Sequence, residues 1–306
     1  FSESGWWGRI STATKESKSI MEPRRTLRLN MLFLAVVIGI LLNPSKSDAC
    51  SILYYKNIAT GKIYAVNSED FFLDVDAYIQ IEPKSKKNFA RLWYGWDKFA
   101  QGGINEKGLF FDAAVTPEQE KIKGYANPKR NLGDKILAQS SSVKEALEVL
   151  EKEKIALNKS HMLFGDKTGQ AVVVEWVNGE RKLHWIVGNK LIMTNFLLSE
   201  PKAGNYPCYR YKSISDRINQ LETSGEIINL LKIGNTFGQA VQPARKHENN
   251  RFGGTVYTSF IDVTENKFFL SYKLSNKNMI KFDLTEEFAK SNRQKINLKE
   301  IEPNLD

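Results

Sequence analysis

The stretch CSILYYKNIATGKIYAVNSEDFF, residues 50–72, sets two apolar runs on either side of a Thr60-Gly61 turn. Runs of Ile, Leu, Tyr and Val broken by a glycine turn spell a β-hairpin. More strand-like runs follow at 77–81, 90–94 and 109–114, the last reached through a turn-rich connection from Gly102 to Gly108. The middle of the chain is helical. Residues 131–139 form one short segment, and Ser142-Val143-Lys144-Glu145 reads as a capping box opening an amphipathic helix to about Lys154. Strands return at 161–164, 171–176, 182–187 and 190–194, and helical patterns at 209–221 and 225–231. Three more strands, 255–262, 267–272 and 279–282, precede a polar tail. Short turns between strands predict antiparallel sheets. Helices gathered in two blocks predict layers laid on sheets, not a βαβ alternation. The expected fold is therefore α+β, with two antiparallel sheets between two helix layers.

What precedes the hairpin has a different character. Arg24, Arg25 and Arg28 stand before the apolar run MLFLAVVIGILL, residues 31–42, and Ser47-Asp48-Ala49 leads into Cys50. A basic segment, a short apolar segment and a small-x-small site make a cleavable secretion signal. The run is shorter than the roughly twenty residues that cross a bilayer, so a plain membrane anchor is the weaker alternative. A lipid-modified Cys50 is the sharper one, although such signals usually carry an aliphatic residue three places before the cysteine, where Ser47 stands. The expected organisation is an upstream extension and signal over 1–49, removed, and a single domain over 50–306. The expected location is secreted or periplasmic, with membrane contact only through the signal or through lipid.

Of the +9 net charge of the 306 residues, three units belong to 1–49, with seven Lys/Arg against four Asp/Glu, which leaves +6 downstream. The lysines are scattered, and no nucleic-acid-binding signature occurs. The chain has two cysteines, Cys50 and Cys208. In an exported protein a disulfide between them is the ordinary alternative to a reactive thiol. No CxxC, HExxH or His/Cys cluster is present, so neither a metal nor another cofactor is expected, and His161 and His184 read as packing residues. Trp93, Tyr94, Trp96 and Phe99 could line a pocket, though core packing accounts for them as well. Self-association is left open.

Cleavage before Cys50 would place a thiol and a free α-amine on one residue, a nucleophile with its own base. The amine, with an ordinary pKa of about 7.7–8.0, is suited to that work at neutral pH. Such a site also needs a carboxylate to hold the amine, donors for an oxyanion and a polar setting for the sulfur. Pairing within the hairpin would return Asn67-Ser68-Glu69-Asp70 beside Cys50, and Asp70 is the natural partner for the amine; two carboxylates ending a strand are the ordinary alternative. Asn195 stops the apolar strand before it. It is either a turn former or an oxyanion donor. Arg210 lies at a helix start between tyrosines, either stacked at the surface or part of the site.

With these residues in view the chain resembles the choloylglycine hydrolase group of linear-amide C–N hydrolases. These are N-terminal-nucleophile hydrolases that include bile salt hydrolases and penicillin V acylases, with acyltransferase-like peptidases as relatives. The likeness runs in order through Cys50, through Val66 to Phe71, Gly103 to Leu109, His161 to Glu175, Thr194-Asn195, Arg210 and Val256 to Ser259. It implies the family's four-layer αββα sandwich and hydrolysis of a linear non-peptide amide through a thioester. Cys50 would be nucleophile and base, Asp70 would bind the amine, Asn195 would serve the oxyanion, and Arg210 would support the nucleophile. A small-molecule N-acyl amide is the implied partner. Two departures concern the surroundings of substrate and nucleophile. Asn67 stands where the family has an arginine, and Val115 stands where some members use Asn or Tyr. Acyl transfer to an amine, and a non-catalytic ligand-binding protein that is lipidated or disulfide-bonded, remain alternatives.

Overall fold

The computed structural model describes residues 50–301 apart from 204, 205, 276 and 278. The expectations about 1–49 lie outside the described residues.

The chain order is β1 (Ser51–Lys56), β2 (Ile63–Phe72), β3 (Tyr78–Glu82), β4 (Arg91–Trp96), β5 (Phe99–Asn105), β6 (Phe110–Val115), α1 (Leu132–Gln139) and α2 (Val143–Lys152). It continues through β7 (Ser160–Gly165), β8 (Ala171–Val177), β9 (Glu180–Trp185), β10 (Lys190–Met193), α3 (Tyr209–Thr223) and α4 (Leu230–Asn235). It ends with β11 (Arg245–Lys246), β12 (Phe252–Asp262), β13 (Lys267–Tyr272), β14 (Met279–Asp283), α5 (Leu284–Ala289) and β15 (Gln294–Asn297). One sheet runs β10-β1-β2-β12-β13-β14, with β11 on β12, and the other runs β15-β3-β4-β5-β6-β7-β8-β9. Every strand pair in both is antiparallel.

Side-chain parity assigns the layers. On β1 and β2, Ile52, Tyr54 and Ala65 turn to the space between the sheets and meet Leu92, Tyr94 and Leu163. Their neighbours Leu53, Tyr55 and Val66 turn the other way, onto Ile214 and Ile218 of α3 and Ile233 of α4. α1 and α2 cover the outer face of the second sheet, with Ile136, Leu137, Ala146 and Leu150 on Phe111, Phe164 and Trp176. The hairpin strands are apolar on both faces because both faces are covered. The result is the four-layer αββα sandwich.

Several boundaries differ from the pattern. The Gly102–Gly108 connection is mostly strand: β5 runs through Asn105 and only the turn after it is loop. Gly102 and Gly103 are packing devices. A Cβ on Gly102 would fall on Asp112 and on the Tyr94 ring, and one on Gly103 would strike the Leu92 carbonyl and come within 2.8 Å of Trp93 Cα. Helix α4 begins at Leu230, not 225, capped by the Asn229 side chain. The polar tail carries α5 and β15, which closes the edge of the second sheet against β3. Ser142 does cap α2 through the Glu145 N–H, but the Glu145 carboxylate turns to the Ser141 N–H, so the box is not reciprocal. Trp93 faces α1 and α2 while Tyr94 and Trp96 face the other sheet and Phe99 is half exposed, so these four aromatics line no common pocket.

Gly103→Ala is expected to lower stability by about 1–3 kcal/mol, the usual cost of overpacking against backbone, read as a lower urea midpoint at unchanged slope. An unchanged midpoint would show that β4 and β5 are not held this close.

Candidate functional site

Cys50 lies immediately before β1, and the hairpin register, Ser51 opposite Ser68, carries it to the Glu69 end of β2. Its parity is that of Ile52 and Tyr54, so the thiol points between the sheets, where it is buried and donates to Glu69 Oε1 at 3.1 Å. Burial pushes the thiol well above its ordinary pKa; the charges of Glu69 and Asp70 push the same way, while the backbone N–H of Asp70 opposes them. With its nitrogen still in a peptide bond, this cysteine is kept protonated.

On the opposite face of the sheet Arg210, in the first turn of α3, reaches back to the start of β1. Its Nη1 donates to the Cys50 carbonyl at 2.6 Å and to Ser51 Oγ at 2.9 Å, and its Nη2 donates to Asn195 Oδ1 at 3.0 Å. Asn195 follows β10, whose register sets Met193 opposite Ile52. The Asn195 amide nitrogen gives one hydrogen to the Val115 carbonyl at 2.9 Å. A primary amide has two hydrogens to give. One guanidinium therefore joins the cysteine backbone to the expected oxyanion donor. Val115 enters through its carbonyl; its side chain is half exposed.

Asp70 lies one residue beyond Glu69, with its side chain on the helix-facing side. Its Oδ1 accepts from Thr255 and Ser68, and Oδ2 is buried with no hydrogen-bond partner among the described residues. Burial pushes its pKa up to about 8, against the Thr255 hydrogen bond and the Arg210 charge. The structure thus separates the acidic pair: Glu69 faces the thiol, and Asp70 faces Arg210's side with an acceptor atom to spare. Asn67 is on the thiol face, but its amide is spent on Glu69 Oε2 at 3.2 Å and on Asp112 Oδ1 at 2.8 Å rather than on the sulfur. Asp112 also accepts from Tyr94 Oη at 2.9 Å; burial, then the Glu69 charge, hold its carboxyl well above the usual range.

Cys208, just ahead of α3, accepts from Thr194 Oγ1 at 3.4 Å, and both cysteines are free thiols. Glu69 and Asp112 escaped the sequence reading as site residues. Glu69 shares the parity of Cys50 once the hairpin register is known, and Asp112 is the one charge within the apolar strand FFDAAV. His161 and His184 prove to be hydrogen-bonded to Glu175 at 3.1 and 3.2 Å, not simply packed.

A family model described as acyl-coenzyme A:6-aminopenicillanic acid acyl-transferase matches residues 59–276, a span that begins beyond Cys50. No curated protein matches the chain. Among solved structures, penicillin V acylase from Agrobacterium tumefaciens is similar at 17% identity and a TM-score of 0.62, covering 81% of this chain and 91% of its own. A variant of conjugated bile acid hydrolase from Clostridium perfringens is similar at 17% identity and a TM-score of 0.65, covering 81% and 97%. At that identity the likeness is one of fold.

Asp70 predicts a pH signature for the unprocessed chain. Its folded pKa is raised from 3.8 to about 8, so the fold favours the protonated acid; its contribution to stability is full at low pH and is lost as pH rises through that window. Melting temperatures of the 306-residue protein, carried out between pH 5 and about 8, are expected to fall, and Asp70→Asn to flatten the fall. An equal slope in both proteins would remove Asp70 as its source.

Proposed function

The chain belongs to the acyl-coenzyme A:6-aminopenicillanic acid acyl-transferase family, and from that premise we propose that it is an exported amidase whose nucleophile is Cys50, made the first residue by removal of 1–49. The observation that carries this reading is the cradle around residue 50. Arg210 grips its carbonyl, and the buried Oδ2 of Asp70 lacks a donor among the described residues. A buried carboxylate oxygen without a partner is costly, and an α-ammonium is a donor of the right charge for it.

In the proposed reaction the α-amine of Cys50 takes the thiol proton, directly or through one water. The thiolate attacks the carbonyl carbon of a linear N-acyl amide. The second hydrogen of the Asn195 amide and a backbone N–H hold the oxyanion. The α-ammonium returns its proton to the leaving nitrogen as the C–N bond breaks, which leaves a thioester on Cys50. Water, deprotonated by the same amine, then releases the acid and restores the thiol. Asp70 keeps the ammonium in place, and Arg210 keeps the Cys50 backbone and Asn195 in register. The surroundings of the sulfur, with Glu69 and Asn67 on its face, differ from the arginine-bearing pattern, so bile salts and penicillin V are members of the substrate panel and not its presumed answer.

A second reading, acyl transfer to an amine acceptor, is favoured by the description of the matching family. It shares every step up to the thioester and differs in whether an amine or water clears it.

The test is protein produced with Cys50 as first residue, assayed on N-acyl amino acids, acyl homoserine lactones, penicillin V and conjugated bile acids, with intact mass to detect the thioester and added amines to reveal transfer. Turnover and an acyl adduct on Cys50 are expected. Cys50→Ala is expected to lose the adduct, and one extra residue before Cys50 to lose the activity. Asn195→Ala is expected to cost about 10²–10³ in kcat, the usual loss of one oxyanion donor. Full activity with a blocked amine would contradict the mechanism.

A further inference from the structure

The loop that carries Asn195 is held at both ends by one buried pair of side chains. His161, on β7, is fully buried. Its Nε2 is 2.6 Å from the Thr194 carbonyl, directly before Asn195, and its Nδ1 is 3.1 Å from Glu175 Oε1 on the adjacent strand β8. The same Oε1 accepts from the Leu198 N–H at 2.6 Å. Glu175 Oε2 accepts from the Ser199 N–H at 2.9 Å, from the Ser199 hydroxyl at 2.7 Å and from His184 Nε2 at 3.2 Å. Thr194 is thus gripped in front of Asn195, and Leu198 and Ser199 behind it.

The hydrogen-bond inventory fixes what the ring carries. A carbonyl only accepts, and an ionised carboxylate only accepts, so each ring nitrogen of His161 has to bring a hydrogen. Glu175 also takes two backbone N–H groups and the Ser199 hydroxyl on its two oxygens, a donor set that suits the carboxylate; burial pushes its carboxyl up, but the hydrogen bonds from His161 and His184 outweigh burial and hold it well below the usual range. Among the described residues, the hydrogen bonds around the ring involve these titratable groups. β8 contributes Glu175, β9 contributes His184 through Glu175, and Cys208 ahead of α3 is reached through the Thr194 hydroxyl. On β6 the residue opposite is Ala114.

We infer that His161 as an imidazolium and Glu175 as its carboxylate form a positioning pair that aims the Asn195 amide at the reacting carbonyl. The inference rests on reading Asn195 as an oxyanion donor, and it adds the means by which that donor is held. Neither residue touches the nucleophile. A buried ion pair supplies little net stability, but it fixes geometry, and a shift of about 1 Å in a reacting group can cost on the order of 10²-fold in rate. A neutral ring would set a lone pair against one of two acceptors, and the grip on one end of the loop would fail.

Three readouts test it. In ¹⁵N-histidine-labelled protein, one ring, assigned by its loss in His161→Gln, is expected to show both nitrogens protonated; a neutral tautomer would overturn the inference. The Asn195 side-chain amide signal, assigned by its loss in Asn195→Ala, is expected to shift or broaden in Glu175→Gln and His161→Gln; an unmoved signal would overturn it. In kinetics, His161→Gln is expected to lower kcat on the order of 10²-fold with KM changed far less, and to cost nothing further in an Asn195→Ala background. Equal losses in both backgrounds would mean that His161 acts elsewhere. The two spectroscopic readouts need no turnover, so they stand even if no amide in the panel is cleaved; if His161→Gln fails to fold, its ring is assigned by elimination from the signals lost in His184→Gln and His247→Gln.

Discussion

The guanidinium of Arg210 is the contact on which the site depends. It is buried, and it donates to three oxygens from two distant parts of the chain: the Cys50 carbonyl and the Ser51 hydroxyl at the start of β1, and the Asn195 side chain after β10. A cation taken out of water is tolerated only when its donors are met. The planar fork of arginine meets them at fixed angles, which a lysine could not do. Because α3 is anchored on the outer face of the first sheet by Ile214 and Ile218, the guanidinium transmits that packing to the beginning of β1 and to the loop after β10. The helix layer, the start of β1 and the loop after β10 are tied together by one side chain.

Charge is divided between the two faces of the first sheet. Toward the second sheet the thiol meets Glu69, which Asn67 links to Asp112; burial, then the charges of Glu69 and Asp70, disfavour a thiolate there. Toward the helices Asp70 lies within the influence of Arg210 and keeps an oxygen with no hydrogen-bond partner among the described residues. In the 306-residue chain this arrangement favours the protonated sulfur. A positive charge created at the nitrogen of residue 50 would reverse the balance, since an opposite charge nearby stabilises the charged form of each carboxylate. On this account, maturation and activation are one electrostatic event.

Much of the architecture was legible because it rests on local pattern. The hairpin, the capping serine of α2 and the two helix blocks follow from turns, caps and periodicity. What escaped depends on neighbours far away in sequence. β5 hides behind glycines that are required by the Tyr94 ring and the Leu92 backbone, and β15 is a strand only because β3 offers an edge. Cys50, Asp70, Asn195 and Arg210 stand out by residue type and order, and the structure brings them into one neighbourhood. Glu69 was passed over because strand parity, not spacing along the chain, gives it the thiol. His161 looked like a packing residue because its two acceptors come from a neighbouring strand and from a loop 33 residues away.

The central claim is that residue 50 becomes the first residue, with its nitrogen unblocked and its sulfur reduced. Intact mass and N-terminal sequencing of the protein recovered outside the cytoplasm of producing cells test it most directly. The account predicts a chain that starts at Cys50 and carries neither modification nor crosslink. A different first residue, or a lipid or disulfide on that sulfur, would contradict it.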